Sequence, residues 1–219
     1  MLQNPFDFFE AIYCLTTETR AKKYESAMRE FQSIGIADRI VKFNGTEIDR
    51  KYANCTCNNK KLSHALASAN HLEIWRNVSK KGLSNVLIFE DDVSFVRWDN
   101  EALLVAINTL SASKWELFYL GYNLFGDSFD YKTIAANLIE LPTGSDVRSA
   151  HAYCLSCASY RKVLGYNPFC DKVVDQWLPS TLAIHCLIPL MTVQTQYIDG
   201  HQKRETFLDN YKNKLAGQE

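Results

Sequence analysis

Three neighbouring acids, Glu90, Asp91 and Asp92, are the residues of this sequence whose types and spacing best suit chemistry. They follow directly after the apolar residues 86–89. Packing does not explain them, because adjacent carboxylates repel one another and each loses its hydration when it is covered. Carboxylate oxygens are ligands for Mg²⁺ and Mn²⁺, and such a cation can also bind a diphosphate. Acidic triplets also occur in solvated turns, so these residues alone leave both interpretations open.

The apolar run before the acids predicts a buried strand of an α/β sheet, since four residues are too few for an ordinary helix. Open α/β sheets bind their ligands at the carboxyl ends of strands, which is where the acids lie. Helical spacing of apolar residues predicts helices around residues 24–34, 62–81 and 103–110. Further strands are predicted at residues 11–15, 39–43, 115–120, 150–155 and 183–190, and residues 122–133 are predicted as a loop over the site.

Length and composition favour one globular domain over residues 1–219, which could be part of a longer protein. Lys+Arg 24 against Asp+Glu 25 gives a net charge of -1, so no overall field would recruit nucleic acid. No apolar run reaches the length of a transmembrane segment, and the first residues lack the pattern of a signal peptide. We therefore expect a cytoplasmic protein without nucleic-acid partners.

Two common nucleotide-binding motifs are missing after the first predicted strand. The segment 16–20 contains neither Gly-x-Gly-x-x-Gly nor the Gly-Lys-Ser/Thr of a P-loop. NAD binding or ATP binding of those types is therefore not expected.

Five blocks of the sequence carry a family resemblance. They occupy residues 62–64, 87–93, 115–121, 151–156 and 174–179. In this order the blocks resemble glycosyltransferase family 25, which includes lipopolysaccharide and collagen galactosyltransferases. The resemblance implies a Rossmann-like fold of the GT-A type, with a mostly parallel central sheet flanked by helices. It also implies a nucleotide-sugar donor and an Asp-x-Asp-type metal motif, here Glu90-Asp91-Asp92.

The resemblance assigns roles to the acids. Asp92 is expected as the first Mn²⁺ or Mg²⁺ ligand, Glu90 as a partner of the ribose or of the metal, and Asp91 as a contact of the sugar. A further ligand is expected late in the chain, where Asp199 and His201 flank a glycine. A surface histidine in a polar turn is the alternative interpretation of His201.

An inverting transferase needs a base that takes the proton of the acceptor hydroxyl. Asp175 is the expected base, because it matches a family block and lies near Trp177, whose ring could support a sugar. An acid that stabilises a helix N-terminus explains Asp175 equally well. His151 is the second candidate, with a hydrogen-bonded core histidine as its alternative.

The donor nucleotide is expected to contact four other residues: Thr16, Arg20, Ser63 and His64. Arg20 could bind the diphosphate, although a solvated cation in a first helical turn is the alternative. The family usually has several arginines near this position, and this chain keeps one, so recognition of the base or phosphate is expected to differ.

These observations predict a metal-dependent glycosyltransferase. It would transfer a sugar from a UDP-sugar to a hydroxyl of a saccharide or glycoconjugate, with inversion. One alternative is a sugar-1-phosphate nucleotidyltransferase, although that class normally has a glycine-rich basic loop after its first strand. The other alternative is a non-catalytic relative that binds glycans or proteins.

Overall fold

The computed structural model describes residues 4–46, 62–125 and 130–197. The strands are β1 Ala11–Thr16, β2 Ile40–Asn44, β3 Asn85–Glu90, β4 Val93–Phe95, β5 Leu117–Tyr119, β6 Asn123–Leu124, β7 Lys132–Ala135, β8 Leu138–Leu141, β9 Val147–Arg148, β10 Ala152–Ser156, β11 Ile184–Leu187 and β12 Thr192–Gln194. The α-helices are α1 Ala21–Ser33, α2 Leu62–Lys80, α3 Asn100–Ser111, α4 Tyr160–Val163 and α5 Val174–Thr181. The predicted α/β class is confirmed.

Eight strands form the central sheet, in the order β2-β1-β3-β10-β5-β11-β8-β7. The sheet is mixed, whereas we expected a mostly parallel one. β1 runs parallel to β2 and β3, and β11 runs parallel to β5, but β10 is antiparallel to both of its neighbours. Parallel neighbours need a crossover that usually contains a helix, and the described residues between β5 and β10 contain none. β7 and β8 form an antiparallel hairpin for the same reason.

The core lies on both faces of the sheet, and β3 contributes to each. Its alternate residues Val86 and Ile88 pack with Trp75 of α2 in one apolar cluster. Leu87 and Phe89 belong to the other cluster, together with residues of α1 and α3. This division follows from the two-residue period of a strand. A strand buried on both faces reads as a continuous apolar run, which is why residues 86–89 could be assigned from the sequence.

Glycines end the helices that flank the site. α1 ends just before Gly35 and α2 just before Gly82, and these glycines have φ values of 75° and 69°. Positive φ costs glycine little, so it is the usual residue after a helix C-terminus. Both predicted helix ends agree with the structure.

The turn Asp91-Asp92 connects β3 to the short strand β4. The acidic residues therefore lie where the central strand leaves the sheet, as predicted. In the described part of the chain, no helix combines the length and the apolar character that a membrane crossing requires.

Candidate active site

Two cavities of similar volume open at this end of the sheet. The first, the Thr16 cavity, has a volume of about 290 Å³ and is lined by residues that include Thr16, Arg20, Thr46, Ser63, Asn70 and Glu90. The second, the Asp175 cavity, has a volume of about 270 Å³ and is lined by residues that include His64, Glu90, Asn123, Phe125, Arg148 and Asp175. Glu90 and Ala67 belong to both linings, so they form a shared wall.

Asp91 lies beneath the Thr16 cavity and lines neither cavity. Its side chain is fully buried, and one carboxylate oxygen accepts a hydrogen bond from Thr16 Oγ1 at 2.6 Å. The other oxygen lies 2.6 Å from Nη2 of Arg20. Burial raises the pKa of Asp91, while the Thr16 hydrogen bond and the Arg20 charge act in the opposite direction. We expected a sugar contact here, but the carboxylate instead orients Arg20 toward the cavity.

Asp92 lies farther than Asp91 from the positive charge of Arg20. Its Oδ2 is 3.7 Å from Arg20 Nη2, and among the described residues its buried Oδ1 has no hydrogen-bond partner. Burial and the charge of Glu90 raise the pKa of Asp92 to about 6. A buried carboxylate oxygen without a partner is suited to bind a cation.

The rest of the expected metal site is not established by the described residues. These residues contain no group of three histidine, cysteine, aspartate or glutamate side chains that could hold a metal. Asp199 and His201, the other expected ligands, lie outside the described residues. Asp92 therefore fits one metal ligand, and the complete ligand set stays a prediction.

Glu90, on the shared wall, receives a hydrogen bond from inside the core. Its Oε1 lies 3.0 Å from Nε2 of His71, a wholly buried residue of α2. Burial acts to raise the pKa of Glu90, but the hydrogen bond from His71 and nearby positive charge, including that of Arg20, outweigh it and lower the pKa. Sequence reasoning missed His71. The available signal was that His71, a polar residue, precedes Trp75 by four positions and so lies on the same face of the helix.

Asp175 lies in the first turn of α5 and lines the Asp175 cavity. The start of this helix is held by α2, because the backbone N–H of Val174 donates to Ser68 Oγ at 3.1 Å. Burial and the charge of Glu90 raise the pKa of Asp175, and Arg148 opposes them. The predicted base is therefore near a cavity and has a pKa closer to neutrality than an ordinary aspartate.

Trp177 does not line either of these cavities. Its ring packs against those of Tyr166 and Trp75, with centroid distances of 4.6 and 6.3 Å. The expected sugar contact of Trp177 is therefore not seen, because the ring faces the core side of α5.

His151 is buried, and both of its ring nitrogens are engaged. Nδ1 contacts the hydroxyl of Ser149, and Nε2 lies 3.2 Å from Thr192 Oγ1. Burial lowers the pKa of His151 to about 4. A Cβ at Gly121 would collide with both His151 and Thr192, so glycine is needed for this close packing. The arrangement favours the structural interpretation of His151 over the role of a base.

The first turn of α2 spans both cavities. Ser63 lines the Thr16 cavity and His64 lines the Asp175 cavity, and both side chains are exposed. Asn70, one of the lining residues that sequence reasoning missed, accepts a hydrogen bond from the backbone N–H of Thr46 at 2.9 Å. Three of the four expected donor contacts, Thr16, Arg20 and Ser63, thus line the Thr16 cavity, whereas His64 lines the Asp175 cavity instead.

A two-stranded ribbon, β6 paired with β9, supplies the other missed residues. Asn123 faces Arg148 in this pairing, and both line the Asp175 cavity. The Arg148 guanidinium lies 2.9 Å from Asp146 and 4.4 Å from the ring centroid of Phe125. Each strand has only two residues, which is too short to give a periodic signal in the sequence.

The chain is similar to several curated proteins over about half of its length. It is 32% identical over 118 residues to the probable inactive glycosyltransferase 25 family member 3 of Bos taurus, and the match covers 52% of this chain and 20% of that protein. It is 33% identical over 118 residues to the inactive glycosyltransferase 25 family member 3 of Homo sapiens, with the same coverage of both chains. Procollagen galactosyltransferase 2 of Homo sapiens is 28% identical over 114 residues, with 50% of this chain and 18% of that protein covered. The match thus spans about a fifth of the length of these relatives.

Solved structures resemble the chain more distantly. A glycosyltransferase involved in glycosylation of the major capsid of PBCV-1 has a TM-score of 0.36 at 10% identity and covers 70% of this chain and 62% of its own. A197 from STIV has a TM-score of 0.43 at 11% identity, with 84% of each chain covered. No family model matches the sequence. The curated relatives are nevertheless glycosyltransferase 25 family members, so the resemblance carried by the sequence motifs is confirmed for about half of the chain.

Proposed function

We propose that this chain is a glycosyltransferase that moves a sugar from a UDP-sugar to a hydroxyl of a saccharide or glycoconjugate, with inversion. The observation that carries the proposal is the pair of cavities with a shared Glu90 wall. Transfer between two bound substrates needs two adjacent binding sites whose reacting groups meet. The similarity to glycosyltransferase 25 family members supports the same class of reaction.

The Thr16 cavity is the proposed donor site. It lies at the carboxyl ends of the parallel strands β1, β2 and β3, the usual ligand position in open α/β sheets. Arg20, held by the buried Asp91, would bind the diphosphate through charge-assisted hydrogen bonds. Ser63 and Asn70 would bind the ribose or the base.

A divalent cation, Mn²⁺ or Mg²⁺, is part of the proposal, with Asp92 as a ligand and Asp199 and His201 as further candidates. A bound cation would supply positive charge to the leaving diphosphate. The unpartnered buried oxygen of Asp92 supports this assignment. Arg20, which lies near the same carboxylates, would add to the charge from the protein side.

The Asp175 cavity is the proposed acceptor site. Asp175 would accept the proton of the acceptor hydroxyl as its oxygen bonds to the anomeric carbon and the nucleoside diphosphate leaves. Burial and the nearby Glu90 raise the pKa of Asp175, which suits a base at neutral pH. Asn123, Arg148 and Phe125 would orient the acceptor.

Calorimetric titration with UDP, GDP and their sugars, with and without Mn²⁺, tests the donor site. We expect UDP and UDP-sugars to bind and Mn²⁺ to increase their affinity. The Arg20→Gln variant should bind UDP about tenfold more weakly, because a charge-assisted hydrogen bond is lost. Arg39→Gln is the matched control, since Arg39 pairs with Asp7 at 3.0 Å and lines neither cavity. Absence of binding to every nucleotide, with Mn²⁺ present, would contradict the proposal.

A second candidate is a protein that binds a nucleotide sugar without transferring it. The relatives at 32% and 33% identity are named inactive, whereas the named galactosyltransferase is 28% identical. Release of UDP from a bound UDP-sugar, measured with a panel of saccharide acceptors, separates the two candidates. Tight donor binding without UDP release across the panel would favour the second.

A further inference from the structure

A chain of buried hydrogen bonds leads from the core to the wall between the cavities. Nε1 of Trp75 donates to the hydroxyl oxygen of Tyr153 at 2.9 Å. That oxygen lies 2.8 Å from Nδ1 of His71, and Nε2 of His71 lies 3.0 Å from Glu90 Oε1. Trp75, Tyr153 and His71 are each 0% exposed, so water does not compete for these bonds.

The carboxylate at one end sets the direction of these hydrogen bonds. An ionised Glu90 only accepts, so Nε2 of His71 carries a proton and donates to it. In the neutral imidazole Nδ1 is then the acceptor, and it accepts from the Tyr153 hydroxyl, whose oxygen accepts from Trp75 Nε1. Each group thus has a complementary partner, as buried polar networks require.

We propose that His71 is a positioning residue that holds the Glu90 carboxylate on the shared wall, where it accepts hydrogen bonds from hydroxyls of the donor sugar. This inference rests on the proposed function. His71 itself reaches neither cavity, so it acts through Glu90. Glu90 is suited to the contact because its side chain is 20% exposed and lines both cavities.

The location of Glu90 identifies the sugar as its ligand. If the nucleotide fills the Thr16 cavity and the acceptor fills the Asp175 cavity, the sugar that passes between them lies at the shared wall. UDP lacks the transferred sugar, so the proposed contact between that sugar and Glu90 is absent from its complex and is not lost when His71 is changed. The effect of His71 should therefore be visible in UDP-sugar binding and not in UDP binding.

The tautomer of His71 tests the hydrogen-bond chain without any ligand. Long-range ¹H–¹⁵N correlation spectra of the full chain should show the His71 proton on Nε2. In Tyr153→Phe, Nδ1 loses its hydrogen-bond donor while Nε2 keeps the Glu90 acceptor, so we expect the proton to stay on Nε2 and the Nδ1 resonance to shift downfield. A wild-type His71 with its proton on Nδ1 would overturn the proposal.

Binding of UDP and of UDP-galactose or UDP-glucose tests the role of the buried hydrogen-bond chain. We expect His71→Leu to weaken UDP-sugar binding about tenfold and to leave UDP binding within about twofold. His71→Gln keeps an N–H donor near the Nε2 position, so it should restore most of the UDP-sugar affinity. His185→Gln is the matched control, because His185 is also buried but lines neither cavity.

The outcomes separate this proposal from the proposed function. Equal losses for UDP and UDP-sugar, or no loss for either, would overturn the positioning role while donor binding by the wild type stands. If the wild type binds no nucleotide, the proposed function fails, and the ligand assigned to Glu90 fails with it. If His71→Leu does not fold, the tautomer of His71 in the wild type still tests the proposal, because a proton on Nδ1 would overturn it.

Discussion

The Thr16 cavity and the Asp175 cavity share a wall but are built differently. The first lies over parallel strand ends, and the acid beneath it, Asp91, is bound by Thr16 and Arg20. The second is built by the β6–β9 ribbon and the first turn of α5, and Asp175 lies near the like charge of Glu90. The Arg20 guanidinium, held in place by Asp91, suits the binding of an anion. An acid with a raised pKa suits proton transfer.

The largest expected effect comes from changing only the acceptor side. Asp175→Asn removes the proposed base, so turnover should fall by about 10²–10⁴-fold while UDP binding stays unchanged. Steady-state rates and calorimetry measure the two quantities. Asp171→Asn is the matched control, because Asp171 precedes α5 and lines neither cavity. Retained turnover in Asp175→Asn would remove the proposed chemical difference between the cavities.

The buried His151, which lines neither cavity, should affect stability and not binding. The pKa of His151 is lowered from its ordinary 6.5 to about 4, so the unfolded chain takes up this proton first as the pH falls. The resulting stability is present above pH 6.5 and is lost as the pH falls toward 4, by roughly 3 kcal/mol in total. Denaturant unfolding between pH 7 and 4 should show a shallower loss in His151→Gln. An unchanged slope in that variant would contradict the assignment.

Two buried threonines allow a hydrogen bond to a charged group and one to a neutral group to be compared directly. Thr16 Oγ1 donates to the Asp91 carboxylate, whereas Thr192 Oγ1 pairs with the neutral ring of His151. Hydrogen bonds to charged groups contribute more than neutral ones, so Thr16→Val should lower the free energy of unfolding by roughly 2 kcal/mol and Thr192→Val by roughly 1 kcal/mol. Urea unfolding at pH 7 measures both. Equal losses would mean that the charge of Asp91 does not strengthen its hydrogen bond with Thr16.

The smallest expected effect concerns the aromatic residue of the acceptor side. Phe125 is 38% exposed and packs under Arg148, so its ring offers a surface for a sugar. Phe125→Ala should raise the acceptor KM about fivefold, equivalent to roughly 1 kcal/mol, without changing UDP affinity. Leu164→Ala is the control, because Leu164 is similarly exposed, at 40%, and lines neither cavity. A matching change in UDP affinity would argue against an acceptor contact.

The Thr16 side was more accessible to sequence reasoning than the Asp175 side. Residues 86–89 form a continuous apolar run because β3 is buried on both faces, and the acids follow at its end. Arg20 comes soon after the first strand, where a loop of an α/β unit is expected. The strand and the acids at its end are local in the chain, so the sequence pattern was sufficient to predict their position.

The Asp175 side depends on contacts between distant segments. Asn123 and Arg148 meet through a pairing of two-residue strands, and the position of β10 between β3 and β5 has no local signal. His71 was missed because its partners, Tyr153 and Glu90, come from β10 and β3. Residue types alone do not specify which strands become neighbours, and that neighbourhood determines the site.

The shared wall would link ligand binding in the two cavities thermodynamically. A ligand that changes the orientation of Glu90 from one side alters the surface that the other side presents. The coupling free energy between two sites is the same whichever ligand binds first. Donor and acceptor would therefore change one another's affinity by the same factor, and inhibition by the released nucleotide would depend on how much acceptor is bound.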